Sequence, residues 1–226
     1  MIEEINNLSG YILESPTEVV ERQQLAECNQ LCFLRLIGQT KWEQFAYDCQ
    51  APFRHEDPSQ VKPPYRYPLV VRRSGKRVLL LSFNSRIIEH LMESVLRSTF
   101  RPPLRHVPIA VDALVKALVE KPTTYALSFA HARVPAFGVS LRSISYYGDD
   151  LAEASLFRDS IALTRFFTCG LRSAAGGTEL VRLGSDGMIS FYHRDDRSIK
   201  EVEKALGFLR DTGYLAADIL NEDTKA

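Results

Sequence analysis

The chain has 226 residues, 45% of them hydrophobic and 25% charged, with 28 Lys and Arg balancing 28 Asp and Glu. That composition supplies an ordinary core for one large domain or two small ones and excludes the disordered class of weakly apolar, highly charged chains. No apolar run approaches the roughly 18 residues of a membrane-spanning helix, and Met1-Ile2-Glu3-Glu4 lacks the basic, apolar pattern of a secretory leader.

The expectation is therefore a cytoplasmic protein without a membrane contact. Cys28, Cys32, Cys49 and Cys169 suit a reducing compartment. Cys28 and Cys32, four apart, are expected to share a helix face as free thiols, since no other Cys or His pair has metal-ligand spacing.

In chain order, Gly10-Tyr11-Ile12-Leu13 reads as a short strand. Ser15-Pro16-Thr17-Glu18 combines a cap with a proline just inside a helix start, which predicts a helix from Thr17 to about Gln30. Leu31 to Ile37 and Trp42 to Tyr47 then read as a hairpin across Gly38-Gln39-Thr40, or the first run extends the helix. Residues 51–68 carry five prolines, which deny the N–H that a helix or central strand needs. They predict a linker between an acidic, partly helical segment (1–57) and an α+β domain (66–226).

Past the linker, Pro68 to Val71 and Val78 to Phe83 are bulky, short runs flanking Arg72-Arg73-Ser74-Gly75-Lys76-Arg77. They predict a hairpin with Gly75 in its turn, followed by a helix capped by Asn84 that buries Ile87, Ile88, Leu91, Val95 and Leu96. An amphipathic helix is expected from Val111 to Pro122. Tyr125 to Arg133 and Val139 to Tyr147 form a second pair of strands, with a helix after Gly148 continuing through Ile161 to Phe167. Thr178 to Leu183 and Met188 to Tyr192 flank an Asp186-Gly187 turn, and Asp195, Asp196 and Ser198 cap a last helix.

The glycine-bearing stretch Gly170 to Gly177 reads as a flexible connection, since it lacks the ending of a phosphate-binding loop. The predicted fold class is α+β, a mainly antiparallel sheet of successive β-hairpin–helix units with helices packed on one face.

Charge is unevenly distributed. Residues 1–60 hold 4 Lys and Arg against 10 Asp and Glu, a net of −6, whereas residues 66–106 hold 9 against 2, a net of +7. Cations on a hairpin tip are a common way to meet phosphate, and Tyr65, Tyr67 and Phe100 lie near enough in sequence to stack on bases. The expected nucleic-acid contacts are Arg72, Arg73, Lys76, Arg77, Arg97, Arg101 and Arg105. The competing expectation is that the acidic front of the chain folds against this block and cancels it.

Tyr147-Gly148-Asp149-Asp150 resembles, over four residues, the metal-binding turn of viral RNA-dependent polymerases, where adjacent carboxylates hold two Mg²⁺ ions. The helical pattern after Asp150 departs from that family, and capping explains two Asp residues at a helix start. Asp149 and Asp150, with His193, Asp195 and Asp196, nevertheless form a possible Mg²⁺ constellation on one sheet edge.

The sequence thus points to a non-enzymatic, cytoplasmic, regulatory binding protein of bacterial type, contacting nucleic acid or an acidic protein through the basic hairpin and needing no cofactor. The first alternative is a divalent-metal nuclease or nucleotidyl-transfer enzyme using Asp149, Asp150, His193 and Asp195. The second is a protein-interaction subunit of a homo- or hetero-oligomer.

Overall fold

The computed structural model describes residues 7–28, 30–37, 41–50, 64–121, 124–134, 143–173, 180–192 and 199–212. It is an α+β protein in which, among the described residues, eleven strands, each antiparallel to at least one neighbour, are accompanied by short helices. The chain divides between Val107 and Pro108 into two compact units. No described helix is long and apolar enough to cross a membrane.

The first unit contains β1 (Asn7–Glu14), α1 (Arg22–Ala26), β2 (Leu31–Leu36), β3 (Trp42–Cys49), β4 (Tyr65–Ser74), β5 (Arg77–Ser82), α2 (Ser85–Leu91) and β6 (Arg105–His106). Its strands lie in the order β2-β3-β4-β5-β1, with β6 also pairing β1. Residues 51–63 lie outside the described residues. The strands on either side of them, β3 and β4, pair directly from Trp42↔Arg72 to Cys49↔Tyr65, so both sides of the proline-rich stretch share one sheet.

Paired residues share a sheet face, so Tyr11, Leu80 and Val71 line up on one side, next to Tyr47 and Tyr67. α2 packs there: Tyr11 Oη donates to Glu89 at 2.7 Å and Tyr47 Oη lies 2.6 Å from His90 Nδ1. Asn84 caps α2 by accepting from the Arg86 N–H at 3.0 Å, and Ile87, Ile88 and Leu91 are buried. The helical run continues as a π turn (Met92–Leu96) and α3 (Arg97–Thr99), with Val95 and Leu96 buried.

The helix expected over Thr17–Gln30 is a single turn and a half, α1. Its start is set by a capping box between Glu21 and Gln24 rather than by Ser15. The run expected over Leu31–Ile37 forms β2 (Leu31–Leu36), paired antiparallel with β3, so Cys28 and Cys32 share no helix face; Cys32 is exposed and Cys28 lies 3.1 Å from Thr99 Oγ1.

The second unit contains α4 (Val111–Glu120), β7 (Tyr125–Arg133), β8 (Ser143–Tyr147), α5 (Ser155–Ser160), β9 (Arg165–Ser173), β10 (Leu180–Gly184), β11 (Met188–Tyr192) and α6 (Ile199–Asp211), with strands in the order β11-β10-β9-β7-β8. α5 ends early because β9 replaces the expected continuation of the helix and part of the expected loop. Arg165-Phe166-Phe167-Thr168-Cys169 is aromatic and β-branched, and hydrogen bonds to both β7 and β10 outweigh the helical reading. One face carries Leu127, Ala130, Cys169, Leu171, Val181, Leu183, Ile189 and Phe191, all buried, with Tyr146 and Phe166 stacked edge-on and tilted against Phe157 of α5.

Two glycines answer to geometry. Gly75 takes φ +55° in the β4–β5 turn, and Gly10 lets β1 approach β5 so closely that a Cβ would stand 1.8 Å from the Leu80 carbonyl oxygen. Gly10→Ala is expected to lower stability by at least about 1–3 kcal/mol through forced separation of the two strands. Gly75→Ala, which meets open space, loses about 1 kcal/mol from backbone strain alone; urea denaturation of both variants checks the order.

Candidate functional site

The basic hairpin is met from within its own unit. Glu43 on β3 is 2% exposed, and Arg73 of the neighbouring strand grips it as a two-pronged fork, Nε to Oε2 at 3.0 Å and Nη2 to Oε1 at 2.8 Å. Arg22, at the start of α1, donates to the same Oε1 from Nε at 2.7 Å, and the remaining Arg73 nitrogen donates to the Val20 carbonyl at 3.0 Å. Burial pushes the Glu43 carboxyl up, but the hydrogen bonds from Arg73 and Arg22 outweigh it and hold the group below the usual carboxylate range. Arg77 donates to Glu14 at 3.1 Å, and Arg66 binds both oxygens of Asp48 at 2.8 Å. Arg72 is 7% exposed, its guanidinium 5.7 Å from the Trp42 ring centroid.

Of the seven residues expected to touch nucleic acid, Arg72, Arg73 and Arg77 are thus held inside the unit, the last two by carboxylates from the acidic front of the chain. Lys76, Arg97, Arg101 and Arg105 remain exposed. Tyr65, Tyr67 and Phe100, the rings expected beside them, are buried.

Each Asp of the pair has a neighbour of its own. Asp150 accepts from the Ala152 N–H at 3.0 Å and caps a 3₁₀ turn, while the fully exposed Asp149 points to Arg172 at 3.5 Å. His193, Asp195 and Asp196 lie outside the described residues. Among the described residues no three His, Cys, Asp or Glu side chains are grouped as metal ligands. Cys169 is fully buried in the second unit, and burial pushes its thiol up to about 12, which leaves it protonated and inert.

The second unit carries a surface that the sequence reading passed over. A bulge at Ser128 shifts the pairing from Leu127↔Leu171 to Phe129↔Gly170, moving Phe129 to the face opposite the core. There it forms a row of rings: Tyr147 lies 5.0 Å from Phe129, Phe129 lies 6.0 Å from His131, and His131 lies 4.9 Å from Phe167. Gly170 has no side chain to interpose, so Arg182 reaches from β10 to within 5.6 Å of the Phe129 centroid, and Arg133 stands 6.0 Å from Phe167.

Tyr147 is 76% exposed; Phe129, His131 and Phe167 are half-buried. Arg133 and Arg165 are exposed, directly paired across β7 and β9, and have no carboxylate partner among the described residues. The Nε atoms of Arg172 and Arg182 are buried without a hydrogen-bond acceptor. The alternation Phe129-Ala130-His131-Ala132-Arg133, large and polar on one side and small on the other, was the sequence signal for this face.

Because Glu43 titrates lower when folded than when unfolded, its contribution is complete above the unfolded carboxylate range and is lost as pH falls through the folded value. Denaturation measured from neutral pH downwards is expected to show that loss in the parent and its absence in Glu43→Gln. The variant is about 3–5 kcal/mol less stable at neutral pH, because two guanidinium groups lose their buried partner. Comparison of the chain with family models, with curated proteins and with solved structures finds no match to any of them.

Proposed function

We propose that the chain is a non-enzymatic binding protein for nucleic acid, and that the contact is made by the exposed part of the second unit's sheet face opposite its core. The observation that carries this reading is the cationic half of that face. Like charges set directly opposite each other on adjacent strands cost up to about 1 kcal/mol, and a buried guanidinium N–H without an acceptor costs about 1–3 kcal/mol. Arg133, set opposite Arg165, carries the first cost, and Arg172 and Arg182 carry the second at their Nε atoms. A chain of phosphates relieves the first cost by placing acceptor oxygens and negative charge over the exposed Arg133 and Arg165. Lys76, Arg97, Arg101 and Arg105 of the first unit offer further phosphate contacts, whereas the Glu43-bound hairpin arginines do not. Four free thiols accord with a reducing compartment such as the cytoplasm.

A second reading, as an interaction subunit, has its own support. The outer edge of β2 pairs with no other described strand, and Leu34 and Leu36 on it are 44% and 48% exposed. The bulge between Phe33 and Arg35 and the charge of Arg35 blunt that edge against indiscriminate pairing, which leaves the cationic face as the stronger feature.

Fluorescence anisotropy with a labelled mixed-sequence oligonucleotide, single- and double-stranded, across a salt series tests the proposal. Affinity is expected to fall with salt, and Arg133→Ala and Arg165→Ala each reduce the log–log slope by about 0.7–0.9, the share of one phosphate contact. Affinity indifferent to salt, a slope unmoved by either variant, or equal binding of polyglutamate overturns it, the last outcome in favour of an acidic protein partner.

A further inference from the structure

We infer that the ring row of the second unit is a stacking platform for the bases of a single strand, so that the protein selects unpaired nucleic acid over duplex. The inference rests on the nucleic-acid reading but is carried by different atoms, the aromatic rings rather than the arginines. Tyr147, Phe129, His131 and Phe167 run across β8, β7 and β9, and Arg182 extends the row onto β10. Four strands at about 4.8 Å spacing span about 14 Å, room for two or three bases laid across the sheet.

The rings are not stacked on one another. Their planes are tilted by 36°, 57° and 31° along the row, so they make no closed aromatic core, and Tyr147 remains largely in solvent. Every base has a π-face, so such rings accept any sequence, and Arg182 beside Phe129 and Arg133 beside Phe167 are placed to meet the phosphates that flank a stacked base.

Two other occupants fit less well. An apolar protein face would have to dry out the hydroxyls of Ser143 and Ser145 and the guanidiniums of Arg133 and Arg165, all exposed on the same side of the sheet, with no partner for them. Outside the ring row, the apolar residues Ile144, Ala130, Ala132 and Phe166 of these strands face the other way, towards the core. A duplex offers phosphates to the arginines but keeps its base faces covered, so it leaves the rings unused. The sheet face is also too broad to enter a groove about 12 Å wide. Only an unpaired strand engages rings and cations together.

The test compares anisotropy of labelled single strands of about 10 nucleotides with the corresponding duplex at one low salt concentration. The single strand is expected to bind at least tenfold more tightly. Tyr147→Ala, at a site too exposed to disturb the fold, weakens single-strand binding roughly 5- to 150-fold, the loss of one base stack, and leaves duplex binding unchanged. Tyr147→Phe restores it. In Tyr147→Trp the new indole fluorescence is quenched by the single strand, against a constant background from the fully buried Trp42. Duplex and single strand bound alike, or Tyr147→Ala indistinguishable from the parent, overturns the platform while the nucleic-acid reading stands. No binding of either form overturns both.

Discussion

A carboxylate buried between two strands and a helix start is the constraint on which the first unit depends. Glu43 sits on β3 where its side chain turns towards the segment that carries α1, and its cost of burial is met by the fork of Arg73 and by Arg22. Those bonds tie the acidic front of the chain to the hairpin. They also neutralise the arginines at the hairpin base, so the chain's most conspicuous cationic block is partly consumed by folding. What the contact stabilises and what it removes from the surface are the same event.

The second unit solves a different problem. One face of its sheet is a core of small and aliphatic residues against which Phe157 of α5 packs. The other face is given its character by a local irregularity: the bulge at Ser128 changes which side Phe129 faces, and the missing side chain at Gly170 admits Arg182 beside the ring. A sheet without the bulge would have sent Phe129 into the core and broken the row between Tyr147 and His131. Bulges that re-aim a side chain next to a functional surface are a recurrent use of this device.

The contrast between the units explains why net charge is a poor guide to the partner. In the first, opposite charges far apart in sequence are brought within hydrogen-bonding distance. In the second, like charges are set side by side, Arg133 against Arg165, with no acid among the described residues to separate them. Total charge is zero in the chain as a whole, yet the surviving potential is local and depends on which guanidinium groups are already spent.

Local chemistry determined the elements whose signals are short in range: the β4–β5 hairpin around Gly75, the Asn84 cap and the buried stripe of α2, the start of α4 at Val111, and the Asp186-Gly187 turn between β10 and β11. Each rests on a backbone or capping preference that a few adjacent residues express alone. Tertiary structure decided the rest. β9 was legible as the end of a helix because its partners are distant in the chain, and only pairing to β7 and β10 made it a strand. The grouping of β3 with β4 across the prolines is likewise a matter of register, invisible to composition. Whether an arginine is free or spent depends on which carboxylate the fold brings near it, and the facing of Phe129 depends on one extra residue in a ladder. Those are properties of long-range pairing, which a single sequence states only through residues that do not know their neighbours until the chain has folded.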